Sequence, residues 1–145
     1  MKTFTTGQLA KTTQVNIETI RYYERRGLIP KAPRRQSGYR QFSQNDVRRI
    51  RFIKHAKTLG FTLDEVAELL ALKCEPEATC GDITEKIDTK LIDVVRKINT
   101  LRRMRRTLVD LKKACKEPTV PSKDCPILES LDAEDLKTDG KEPFK

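Results

Sequence analysis

The longest regular pattern of apolar positions lies between Cys80 and Cys115. Ile83, Ile87, Leu91, Val94, Ile98, Leu101, Met104, Leu108 and Leu111 follow one another at steps of three and four, with Lys, Arg, Glu and Asp between them. That spacing predicts one long helix with a single apolar stripe and otherwise wet faces. Sustained over about five heptads, it predicts a coiled coil rather than an ordinary core helix. The two cysteines are 35 residues apart, a whole number of heptads, so both fall on the stripe. A helix rising about 1.5 Å per residue puts them roughly 52 Å apart, too far to share a metal or a disulfide. In an antiparallel pair of such helices, Cys80 of one chain arrives beside Cys115 of the other; a parallel pair brings like cysteines together instead. The plain alternative is two small buried thiols at the ends of a dimer seam.

The pattern before Cys80 breaks into shorter pieces. Residues 5–12 read as a short helix with Thr5 or Thr6 as its cap. After a break at Thr13 to Val15, Asn16 caps a second helix that stops at Gly27, with Pro30 beyond it. Two short helices across a tight turn make a helix-turn-helix, whose second helix enters the major groove of DNA. On it Thr19, Arg21 and Tyr22 are placed for phosphates or base edges, while Ile17, Ile20 and Tyr23 or Leu28 pack inward. Residues 28–42, with two prolines and Ser37-Gly38, predict a loop with a short β-hairpin. Its Arg34, Arg35, Tyr39 and Arg40 suit a sugar-phosphate backbone, or else make a solvated basic turn. Ser43 with Asp46 approximates a capping box for a third helix, running to about Leu59 with Val47, Ile50, Ile53 and Ala56 on one face. Thr62 caps a fourth, whose Leu63, Val66, Leu69 and Leu70 complete a small core. His55, the only histidine, reads as a surface residue. Residues 74–80 form a linker into the long helix. Beyond Cys115 come a turn-rich loop over 116–124, a short helical turn from Cys125, and a polar tail over 132–145 expected to fray.

Charge sharpens the picture. The chain of 145 residues carries +9, but residues 1–60 hold 14 Lys+Arg against 3 Asp+Glu, a net +11, which leaves −2 for the rest. A positive field so concentrated points to phosphates, and favours nucleic acid over an anionic surface. No apolar run approaches a membrane span and the N-terminus lacks a signal-peptide apolar region, so no membrane partner and a cytoplasmic location are expected. There, four cysteines read as metal ligands or sensors rather than structural disulfides. With no tryptophan and 6% aromatics, an independent core is small, and burial between subunits would supplement it.

The strings VNIETIRYYERRGLIP, SGYRQF and FIKHAKTLGFTLDEVAELL resemble the DNA-binding head of the MerR family of transcriptional regulators, and the likeness runs from about residue 3 to residue 131. It implies a mainly α fold: a winged helix-turn-helix head over 1–73, the linker 74–80, an antiparallel dimerisation helix over 81–115, and a metal-binding loop and short helix over 116–131. By the family pattern Arg21, Tyr22, Tyr39 and Arg40 contact DNA, and Lys57 adds a backbone contact. Cys115, the loop 116–124 and the CPILESL string resemble the metal-sensing branch. Members sensing monovalent copper typically lack a cysteine at the place of Cys80; members sensing divalent ions keep that thiol and donate it from the other subunit. The resemblance therefore implies a site of Cys80, Cys115 and Cys125 shared between subunits, as the antiparallel pairing requires.

Three thiolates make a soft site for Hg(II), Pb(II), Cd(II) or Zn(II). Trigonal sulfur favours mercury or lead, whereas zinc and cadmium want a fourth donor. Cys74 is either that donor or an inert residue at the end of the fourth helix. The nine residues between Cys115 and Cys125 resemble the zinc branch in length, where mercury members usually have eight. The loop histidine and adjacent second cysteine of zinc members are absent. The implied function is a homodimer on a palindromic promoter that activates RNA polymerase by distorting DNA when metal binds. A redox or iron–sulfur sensor of the same family, and a cysteine-dependent metal carrier or enzyme, are the alternatives. Neither fits well: only two cysteines follow the long helix, and no histidine or carboxylate partners a nucleophilic thiol, so no enzyme is expected.

Overall fold

In the computed structural model, which describes residues 2–31 and 41–136, the pattern between the outer cysteines is one unbroken helix, α5 (Cys80–Ala114). Four shorter helices precede it: α1 (Thr6–Thr13), α2 (Ile17–Arg25), α3 (Gln44–Thr58) and α4 (Leu63–Cys74). A 3₁₀ turn, Ser122–Asp124, and α6 (Pro126–Asp132) follow it. The chain divides into two compact units, Met1–Ile87 and Asp88–Lys145.

Each helix from α1 to α5 starts where a side chain satisfies the free amides of its first turn. Thr5 with Gln8, Ser43 with Asp46 and Thr62 with Glu65 form reciprocal capping boxes on α1, α3 and α4, and Asn16 caps α2. Thr79 and Asp82 do the same for α5: the Thr79 amide donates to Asp82 at 2.8 Å and the Asp82 amide to the Thr79 hydroxyl at 3.4 Å. The turn between α1 and α2 closes on Gln14, at φ 59°, a left-handed conformation uncommon for a residue with a Cβ. Lys54 on α3 donates to the carbonyls of Thr13 and Gln14 at 3.3 and 3.4 Å, placing a cation on the C-terminus of α1.

In the first unit Leu9, Ile20, Phe42, Val47, Ile50, Ile53 and Val66 are fully buried: three from α3, one each from α1, α2 and α4, and Phe42 from the segment before α3. Phe42 arrives by a route the sequence did not disclose. Strand β2 (Phe42–Ser43) pairs antiparallel with β1 (Thr3–Phe4) in the register Phe4 to Phe42, closing the head with its own N-terminus. Strands two residues long are too short to show a period of two. The hairpin expected within 28–42 falls largely on 32–40, outside the described residues. Ile83, in the first turn of α5, packs on this core.

The second unit is built differently. Along α5 from Asp88 onward only Lys90 and Thr107 are buried, whereas Leu91, Ile92, Val95, Leu101 and Leu108 are each more than half exposed. The end of α5 and the segment after it come together locally, with Thr107, Leu111, Ala114, Ser130, Ala133 and Leu136 lining one cleft. Of the tail expected over 132–145, residues 137–145 lie outside the described residues. Among the described residues no helix is long and apolar enough to cross a membrane.

Candidate DNA interface and thiol sites

α2 is amphipathic: Ile20 and Tyr23 point into the core, and burial raises the Tyr23 hydroxyl above its ordinary pKa. Its outer face carries the candidate DNA contacts. Arg21 is exposed and meets Glu18 at 2.8 Å, one turn back. The Thr19 amide and hydroxyl both donate to the Asn16 carboxamide oxygen, at 2.7 and 2.8 Å, so Thr19 serves the helix cap while its oxygen lone pairs stay available. Tyr22 is 39% exposed, with the guanidinium carbons of Arg25 and Arg26 each 5.8 Å from its ring centre. Arg26 donates to the Tyr22 hydroxyl at 2.9 Å and to Asp64, in the first turn of α4, at 2.7 Å. These contacts, Tyr22 first, hold the Arg26 guanidinium above its ordinary pKa. Lys57 is exposed in the last turn of α3. Arg34, Arg35, Tyr39 and Arg40 lie outside the described residues.

All four cysteines are free thiols; Cys74 and Cys80 are exposed, Cys115 and Cys125 half-buried. Cys80 opens α5 and lines an apolar groove of about 570 Å³ with Phe52 of α3, Leu59 just past its end, Leu69 of α4, and Ile83. Lys73 and Glu75 line the same groove, but Cys74 between them does not. Cys115 follows the last residue of α5, its amide donating to Lys112 at 3.3 Å. The loop then turns at Glu117–Val120 and again in the 3₁₀ segment, bringing the chain to Cys125, which directly precedes Pro126 at the start of α6. Among the described residues no group of three or more His, Cys, Asp or Glu side chains within the chain could hold a metal ion. The thiols fit a soft ion by their chemistry, and a single chain does not gather three of them.

Sequence reasoning missed two features here. The Arg26 bridge depends on the distance between α2 and α4, which no local pattern encodes. The Thr79/Asp82 cap was legible as T-x-x-D ahead of an apolar repeat, and it fixes Cys80 at the first position of the long helix.

Residues 4–73 match the family described as MerR HTH family regulatory protein, and residues 47–111 the one described as MerR, DNA binding. The chain is 47% identical over 131 residues to a mercuric resistance operon regulatory protein of Bacillus cereus, covering 88% of this chain and 96% of that one. It is 37% identical over 127 residues to the HTH-type transcriptional regulator ZntR of Escherichia coli strain K12, covering 87% and 90%. The crystal structure of the transcription regulator PbrR691 from Ralstonia metallidurans CH34 in complex with lead(II) superposes with a TM-score of 0.76 at 33% identity, over 88% of this chain and 98% of that one. These relatives are regulators, not enzymes. The helix-turn-helix head, its charge and these likenesses together place the chain in the MerR family of DNA-binding transcriptional regulators.

Proposed function

We propose that this chain is a metal-responsive regulator whose homodimer binds a palindromic promoter and presents two soft-metal sites, each built from Cys80 of one subunit and Cys115 and Cys125 of the other. The observation that carries this reading is the incompleteness of the single chain: thiols stand at both ends of α5, yet no triad forms within one chain among the described residues. Antiparallel pairing of α5 would supply the missing partner, and two properties of the helix favour it. Its exposed Leu91, Ile98, Leu101 and Leu108 need cover. Its charge is also lopsided, with 4 acidic and 2 basic residues over 80–94 against 1 acidic and 8 basic over 95–114. Antiparallel packing sets a net −2 half against a +7 half, whereas parallel packing sets +7 against +7.

Arg21, Tyr22 and Lys57, with Thr19 as a second acceptor on α2, would meet DNA; Arg34, Arg35, Tyr39 and Arg40 would flank them. Thiolates suit Hg(II), Pb(II), Cd(II) and Zn(II). Mercury or lead is favoured, because three sulfurs complete a trigonal shell and Cys74 lies off the groove that Cys80 lines. The names of the relatives, mercuric resistance above all, lend weight to the same choice. A bound ion supplies bonds that exist in only one arrangement of the subunits. Cys80, Cys115 and Cys125 each give up a proton to make those bonds, so sensing depends on pH. The free dimer would repress. Closing the three thiols would favour the conformation in which the heads bend and untwist the promoter for RNA polymerase. In-vitro transcription from the cognate promoter, with Hg, Pb, Cd, Zn and Cu(I) titrated in turn, tests this. At least one divalent soft ion should activate, and Cys80→Ser, Cys115→Ser and Cys125→Ser should each abolish activation while DNA binding survives. A normal response from any one of the three removes that ligand.

A further inference from the structure

The exposed end of α2 carries a contact that neither its own helix nor the core requires. Arg26 spends both terminal nitrogens at once, one on the Tyr22 hydroxyl four residues back at 2.9 Å, the other on Asp64 of α4 at 2.7 Å. Tyr22 is restrained in its orientation on this face. Its ring is edged by two guanidinium groups at 5.8 Å, and its hydroxyl oxygen accepts from a cation. A phenol that accepts one hydrogen bond still has its own proton to give. Accepting from a guanidinium polarises the O–H group and strengthens what it donates next. Phosphate oxygens are the acceptors DNA most often offers to such a donor.

We propose that Arg26 is a positioning residue for DNA binding: anchored on Asp64, it fixes the Tyr22 hydroxyl with its proton directed outward, and acts on DNA through Tyr22 rather than by touching a phosphate itself. This rests on the reading of Tyr22 as a DNA contact. Asp64 gives Arg26 its fixed point, because α4 is packed on the head through Val66, Leu69 and Leu70. Recognition helix and α4 thus share one cation, and the tyrosine need not freeze its own rotamer when DNA arrives.

A double-mutant cycle tests this, using the full-length protein and a duplex recovered by the wild-type protein from a random-sequence pool. Affinity is measured across a series of salt concentrations for wild type, Arg26→Gln, Tyr22→Phe and the double variant, with thermal unfolding of each alongside. The expected result is that Arg26→Gln weakens binding by about three- to tenfold, with no change in the slope of affinity against salt. The same substitution should cost nothing further in the Tyr22→Phe background. If Arg26→Gln weakens binding equally in both backgrounds, or lowers the salt slope by about one, Arg26 is itself a phosphate ligand and the proposal is overturned. A lower melting temperature with unchanged affinity overturns it too, because the bridge is then only structural. If Tyr22→Phe alone leaves affinity untouched, the reading of Tyr22 fails first, and that result is distinct from the other two.

Discussion

The two compact units of this chain use apolar residues in opposite ways. In the head, Val47, Ile50 and Ile53 of α3 and Val66 of α4 are shut away completely, and every helix start is capped by its own side chains. Along α5 beyond Ile87, residues of the same kind stand open, with Leu101 60% and Leu108 63% exposed, while the buried positions there are a lysine and a threonine. The difference separates a unit that satisfies itself from one whose apolar stripe is addressed to another chain. The thiols stand at both ends of that stripe, so the proposed metal site, shared between subunits, would form only on assembly.

The contrast breaks most visibly at the stripe. Leu101→Lys enters a two-fold dimer twice, so the loss of apolar cover and the addition of charge should weaken association by at least about 4 kcal/mol. Sedimentation equilibrium should then find monomer where wild type is dimer. In the head, Ile50→Ala should lower stability by about 2–5 kcal/mol and leave the sedimenting species a dimer at temperatures below its melt. Thr62→Ala removes the acceptor that holds the Glu65 amide and should cost about 1 kcal/mol in thermal unfolding. Gln14→Gly should raise stability by about 0.5 kcal/mol, since glycine adopts the left-handed turn between α1 and α2 without a Cβ penalty.

The smallest effect is electrostatic. Asp93 on α5 accepts from Lys90 and Lys97 at 3.2 and 3.3 Å, and these bonds, Lys90's first, hold its carboxyl below the ordinary carboxylate pKa. A depressed folded pKa means that the contribution is complete above the ordinary carboxylate range and lost as pH falls through the depressed value. Wild type should therefore melt above Asp93→Asn near neutrality, and the gap should close on acidification.

Much of the head was legible because its signals are local. Caps at Asn16, Ser43 and Thr62, stops at Gly27 and Gly60, and the spacing of Val47, Ile50 and Ile53 each announce a helix within a few residues. The β1–β2 pair was hidden because two-residue strands have no period, and Phe42 joins Phe4 across almost 40 positions. The Arg26 bridge was hidden for a related reason, since Asp64 is 38 residues away. At the thiols the sequence suggests a site that one chain's fold does not close. Helical rise separates Cys80 from Cys115, and the proposed antiparallel partner is what would bring them together.

Each proposed site takes sulfur from both subunits, and mixed dimers test this directly. One chain carries Cys80→Ser; the other carries Cys115→Ser and Cys125→Ser. Neither homodimer can then assemble three ligands, and only a dimer of one with the other holds an intact set. Titrated with Hg(II), the mixed dimer should develop the ultraviolet thiolate-to-mercury band of a three-sulfur site, at one ion per dimer, while both parent homodimers fail to. A mixed dimer as silent as its parents would contradict the shared site.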